Sequence, residues 1–325
     1  MSTLKVSSIQ NPSTSNGGVS IDTSGNVTLP RVSSINAGQL AGFRNQIMNG
    51  AMDINQRGGP YTHAVAAAVA PCLDRWFMSG NPANTISVQQ FSLPTGPFAK
   101  AIQWQSADVN TTALNLIELP AAGTFGPFRN GTTWTLSVYS NIAPPFGQLL
   151  WTTASTAGGT PAAGPPVAFV DTGEATGTPG WNRYSATFTI NSTPAAGDIA
   201  LTVAIFLPSG ASYFTGVQLE PGPVATPFEH RPIGTELALC QRYYSRLQRV
   251  TLARWVGGGT YGGGMTHFTL PQTMRGTPSV TRSVNSGNYD DPTFRLSSTD
   301  GAVWFSSGTT IGDQIEYTLK FDSEL

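Results

Sequence analysis

Asp74, Arg75 and Trp76 stand in a row and combine a carboxylate, a guanidinium and an indole. Such a trio suits a sugar, because the charged groups can hydrogen-bond hydroxyls while the ring stacks on an apolar sugar face. Trp104, in the run KAIQWQSA, offers a second indole. The same residues would also serve as a structural ion pair with Trp76 in a core. Further along, GGGTYGGG (residues 257–264) presents Tyr261 in a glycine-rich loop, and SGNYDDP gathers Asn288, Tyr289 and Asp290. There a ring could cover a sugar face and the polar side chains could meet hydroxyls. A phosphate loop is excluded at 257–264, since no Lys-Ser or Lys-Thr follows and no parallel strand and helix frame it. Asn288, Asp290 and Asp291 could shape a calcium site or a turn, and the turn is the commoner use of such residues.

Hydrolytic chemistry is thinly supplied. His63, His230 and His267 fall in separate segments, and none stands in a zinc spacing. Glycan cleavage needs two carboxyls facing each other across a cleft. Here Asp53, Asp74, Asp108, Glu118 and Glu220 are scattered, and Glu220 and Glu229 flank a proline-rich bend that suits a structural role. The reading is of a non-enzyme, with no catalytic residue, metal site or cofactor. Cys72 and Cys240 sit in apolar surroundings and read as buried free thiols.

These residues must be positioned mostly by strands. Among 325 residues there are 36 Gly and 24 Pro, with Thr and Ser throughout, which suits many short strands joined by turns. Charged residues make up 11% and the formal net charge is -1, so no basic field exists to hold nucleic acid or an anionic membrane. No apolar run has the length of a membrane span or signal peptide, and the expectation is synthesis in a cytoplasm.

Four regions follow. Residues 1–45 carry small apolar bursts (Leu4 and Val6, Val19 and Ile21, Val27 and Leu29) that offer too little burial to close a core within one chain. Residues 46–231 hold nine or ten strand-like runs, from DRWFMSG to YFTGVQLE, expected to form a jelly-roll β-sandwich. Residues 232–249 read as a linking helix with Leu237, Cys240, Tyr244 and Leu247 on one stripe. Residues 250–325 return to strands and predict a smaller C-terminal β-sandwich. The fold class is all-β.

The segments NQIMNGAMDINQRGG, CLDRWF, GTPGWNRYSATFTI, GVQLEPGPVATPFEHRPIGTELALCQRYY and the closing DSEL together resemble tail fibre or receptor-binding proteins of tailed bacteriophages, notably phages of aquatic bacteria. The jelly roll is also similar to carbohydrate-binding modules. STLKVSSIQNP and IDTSGNVTLP resemble leading segments of virion-attached fibre proteins. The resemblance implies a homotrimer in the virion tail, held by residues 1–45 to a tail or baseplate protein, with a distal region that meets a bacterial surface glycan. Residues 250–325 match least, and they are the expected receptor-binding domain. The helix stripe then becomes a candidate trimer contact around a threefold axis, or else a plug on its own sandwich. A glycan-cleaving tailspike and a head-attached or purely structural fibre are the alternatives.

Overall fold

Strand Thr85–Ser92 alternates buried Ile86 and Val88 with exposed Thr85, Ser87 and Gln89, the period-two pattern of a sheet with one wet face. Thr111–Glu118 and Ala200–Leu207 are instead buried on both faces along almost their whole length, so their sheet is covered on its outer side too. The computed structural model describes residues 8–10, 18–21, 27–28, 43–64, 69–80, 85–109, 111–153, 159–253, 264–286, 293–305 and 314–324. It divides into two units, Met1–Arg44 and Asn45–Leu325.

The described part of the first unit is a three-stranded antiparallel sheet of Ser8–Gln10, Gly18–Ile21 and Val27–Thr28. Its register sets Ile9 opposite Val19 and Ile21 opposite Val27.

The second unit is built on two seven-stranded sheets. The first runs, in spatial order, Val170–Asp171, Asn182–Thr189, Thr133–Ser140, Gly210–Pro221, Lys100–Ser106, Thr85–Ser92 and Tyr61–Ala64. The second runs Thr160–Pro161, Phe146–Thr152, Ala200–Leu207, Thr111–Glu118, Trp76–Ser79 and Ala70–Pro71, with Val167–Ala168 also on Phe146–Thr152. Sequence-distant strands lie side by side, as in a jelly roll. The core between the sheets includes Ile102, Trp104, Leu136, Val138 and Phe214 from the first and Trp76, Leu149, Trp151, Val203 and Ile205 from the second. On the outer side of the second sheet Phe77, Leu114, Leu116, Ala200 and Ala204 form another apolar layer with Tyr243.

The helix is shorter than the sequence predicts. It spans Ile233–Gln241, with Glu236 in its first turn, where a carboxylate complements the dipole. The chain then turns, with the Tyr243 amide donating to the Cys240 carbonyl, and enters strand Tyr244–Ala253. Pairing with Gln314–Asp322, with Tyr244 opposite Asp322 and Leu247 opposite Leu319, overrides helical spacing. The stripe is therefore divided between two elements.

Beyond it, two three-stranded sheets form the smaller sandwich. One orders Tyr244–Ala253, Gln314–Asp322 and Ser279–Ser286, the other Gly264–Thr269, Asp300–Phe305 and Thr293–Leu296. Leu270, Met274, Tyr317, Leu319 and Phe321 make its core, with Leu247, Val250 and Phe268 against them.

Candidate functional site

Arg75 occupies the left-handed region (φ 67°) in a tight turn closed by Cys72 N to Trp76 O and Trp76 N to Leu73 O, both 2.8 Å. The turn sends its three side chains into the protein. The Asp74 carboxylate accepts from the Gln56 amide N–H and from Gln56 Nε2, each at 2.7 Å. Trp76 Nε1 donates to the Asn49 carbonyl at 3.0 Å, and its ring lies edge-on to Phe214. Trp104 Nε1 donates to Thr111 Oγ1 at 3.1 Å. All four residues are at most 1% exposed, so neither indole offers a face to a sugar. The sugar-site expectation for Asp74, Arg75, Trp76 and Trp104 is thus corrected: burial of the rings in the sandwich core fixes their role.

Arg75 is instead the centre of a joint between the large sandwich and the smaller one. Its guanidinium pairs with Glu324, donates to the Leu116 carbonyl and lies 3.6 Å over the Tyr243 ring. Arg57 pairs with Asp322 (2.9 Å) and Glu324 (3.1 Å) and lies 3.9 Å over Tyr244. Glu118 takes Arg242 (3.0 Å), Arg275 (3.4 Å) and the Tyr243 hydroxyl (2.8 Å). Burial alone would raise the Glu118 pKa, but Tyr243, Arg242 and Arg275 outweigh it and hold the carboxyl below its usual value. At Asp74 burial wins over Gln56 and Arg57, and its pKa is raised. Burial also pushes the Cys72 thiol up to about 12 and raises Cys240. Both thiols are free and buried, which leaves them little thiolate to react.

The trimer-stripe residues are consumed within the same joint. Cys240 is fully buried and Tyr244 nearly so, while Leu247 packs on the smaller core. Cys240 and Tyr244 are therefore unavailable to sister chains, because their own chain has already covered them, while Leu237 and Leu247 are only half-buried. Tyr261, Asn288, Tyr289 and Asp290 lie outside the described residues.

The outer face of the first sheet is covered over one half. There Arg183 pairs with Glu174 (2.6 Å) and donates to Ser137 Oγ (3.0 Å), and the Tyr139 hydroxyl donates to Glu174 (2.8 Å). Gln218 Nε2 and the Thr226 amide both donate to Glu220 at 2.8 Å. Phe98 packs on Tyr139 and Phe228, directly over Gly216, where a Cβ would meet Phe98 Cζ at 2.4 Å.

Among the described residues, nothing roofs the other half. Thr62, Ser87, Gln89, Phe91 and Gln105 are exposed, and Gln103 and Tyr213 are half-exposed. Cross-strand register sets Thr62 beside Ser87, Ser87 beside Gln105, Gln89 beside Gln103 and Gln103 beside Tyr213. Gln89 Nε2 donates to Gln103 Oε1. The Phe91 and Tyr213 rings meet edge to face with centroids 5.2 Å apart. Sequence reasoning passed over these residues, although the alternation in TISVQQFS is the signal that turns Ser87, Gln89 and Phe91 outward together. Among the described residues, no three His, Cys, Asp or Glu side chains gather as metal ligands.

No protein-family model and no curated protein matches the chain. Among solved structures, a protein from Bacteroides thetaiotaomicron VPI-5482 proposed to bind sugar is similar at 14% identity, over 55% of this chain and 100% of that one, with a TM-score of 0.33. The enzymatically active domain of tailspike protein 4 of bacteriophage CBA120 is similar at 10% identity, over 59% of this chain and 24% of that one, with a TM-score of 0.29. A Stig cyclase from Fischerella sp. TAU is similar at 14% identity, over 55% and 97%, with a TM-score of 0.29. Overlap at this level decides neither fold nor chemistry, and both rest on the chain's own geometry.

Proposed function

We propose that the chain is a tail fibre of a bacteriophage virion that mediates adsorption to a bacterial surface polysaccharide without cleaving it. In this reading it is a homotrimer, residues 1–45 dock on a tail or baseplate protein, and the distal unit meets the host. Tyr261, Asn288, Tyr289 and Asp290 are its proposed receptor contacts in the smaller sandwich. Two long segments that carry the fibre resemblance pack against each other in the fold. Asn45 donates from its amide N–H to Glu229 (2.6 Å) and from Nδ2 to the Val217 carbonyl (3.1 Å), and accepts from the Leu219 amide (3.0 Å).

The observation that supports binding over hydrolysis is the commitment of several carboxylates within the protein, although exposed Asp53 shares a pocket with Glu229, His230 and Glu236. Glu118, Glu174, Glu236, Asp322 and Glu324 are each paired with an arginine, Glu229 is buried on the Asn45 amide, and Asp74 is sealed by Gln56. A glycosidase needs two such groups facing an open cleft. Incubation with host capsule or lipopolysaccharide should show the polysaccharide bound and no new reducing ends. Release of reducing ends would replace this reading with a tailspike.

A further inference from the structure

We infer that the unroofed half of the first sheet's outer face is a second carbohydrate-binding surface, selective for uncharged sugars and separate from the smaller sandwich. The inference rests on the adsorption reading for the kind of ligand and on geometry for its place. The other half of the same face is roofed by the residues around Glu174, Thr226 and Phe228, and this half is left open among the described residues. Phe91 is 40% exposed. A single exposed ring is ordinary on a protein surface, but this one is steadied by Tyr213, and the next cross-strand pairs along the same face are Gln89 with Gln103 and Ser87 with Gln105.

The chemistry fits a pyranose closely. Aromatic faces accept the apolar C–H side of a sugar, and the glutamine amides offer donors and acceptors to hydroxyls. The Gln89 to Gln103 hydrogen bond holds two of those amides in place before a ligand arrives, which lowers the ordering cost of binding. From Ser87 to Phe91 and from Thr62 to Tyr213 the surface extends about 14 Å each way, given strand rise and spacing, enough for a short oligosaccharide. None of Thr62, Ser87, Gln89, Phe91, Gln103, Gln105 and Tyr213 is charged. Lys100, at the start of its strand, gives its ammonium to Ser92 Oγ (2.9 Å). A polyanion would gain little here, and binding should vary little with salt.

The test uses the full-length chain on an array of neutral hexose oligosaccharides beside uronate and sialate oligosaccharides. Two double variants accompany it, Phe91→Ala with Tyr213→Ala, and Gln89→Ala with Gln103→Ala. Each should bind the neutral ligands at least about tenfold more weakly, a loss of about 1.4 kcal/mol, with unchanged oligomer mass. The glutamine variant, which opens no core cavity, should also keep the parent melting temperature. A parent protein that binds glycans while both variants bind equally well overturns this surface and leaves the adsorption reading standing. Preference for the acidic ligands, or a change in oligomer mass, also overturns it, the latter by making the face a contact between copies. A parent protein that binds neither the array nor host polysaccharide overturns the adsorption reading and this surface with it.

Discussion

At Arg75 a buried guanidinium is satisfied on three sides, by Glu324, by the Leu116 carbonyl and by the Tyr243 ring. Removing one partner of a buried pair leaves the other charge in a poor solvent, which costs about 3–5 kcal/mol. Arg75→Ala should therefore lower unfolding free energy by about 3 kcal/mol or more, read by urea denaturation. Adding Glu324→Gln to it should recover part of that loss, since the stranded charge is gone. A loss under about 1 kcal/mol would mean that Arg57 alone satisfies Glu324. The residue types at 74–76 were legible as a group with chemistry, and so was a core place for Trp76, but the partner of Arg75 was not. Arg75 and Glu324 are 249 residues apart, and no local pattern announces that distance.

The elements follow a similar division. Strand alternation such as that of Thr85–Ser92 could be read directly, because side-chain direction is a local property. The extent of the helix could not, since Tyr244 and Leu247 obey the strand Gln314–Asp322 and not their own spacing. At the joint these elements form, Glu118 and Asp74 respond oppositely to acid. The folded Glu118 pKa lies below its ordinary 4.5, so its contribution to stability is full above that value and lost as pH falls through the folded pKa. Asp74 is raised above 3.8. Its ionised form opposes folding, and acidification towards its ordinary value relieves that opposition. Glu118→Gln should melt below the parent at pH 7, with the gap narrowing as pH drops below about 4.5. A gap that stays constant from pH 7 to pH 3 would show that the carboxylate charge is not what Arg242, Arg275 and Tyr243 hold.

Across the whole molecule, Asn45–Leu325 closes its own cores. Each of the two sandwiches encloses an apolar core within one chain, and Cys240 and Tyr244 are buried there too. The leading unit is different in kind: its described sheet has strands of three, four and two residues, too small to be independently stable without further burial. The composition already pointed this way, because bursts of two or three apolar residues cannot offset the entropy of ordering their strands. We propose that the threefold contacts of such a trimer lie in residues 1–44, since Cys240 and Tyr244 of the helix stripe are already buried within the chain. Full-length protein should then scatter light at about three times the 34.2 kDa chain mass, and a chain lacking residues 1–44 should be a folded monomer. That truncated protein should also fail to join tails, since the docking segment is gone. A truncated chain that keeps the threefold mass would place the trimer contact on the sandwiches, and a full-length monomer at micromolar concentration would remove the trimer altogether.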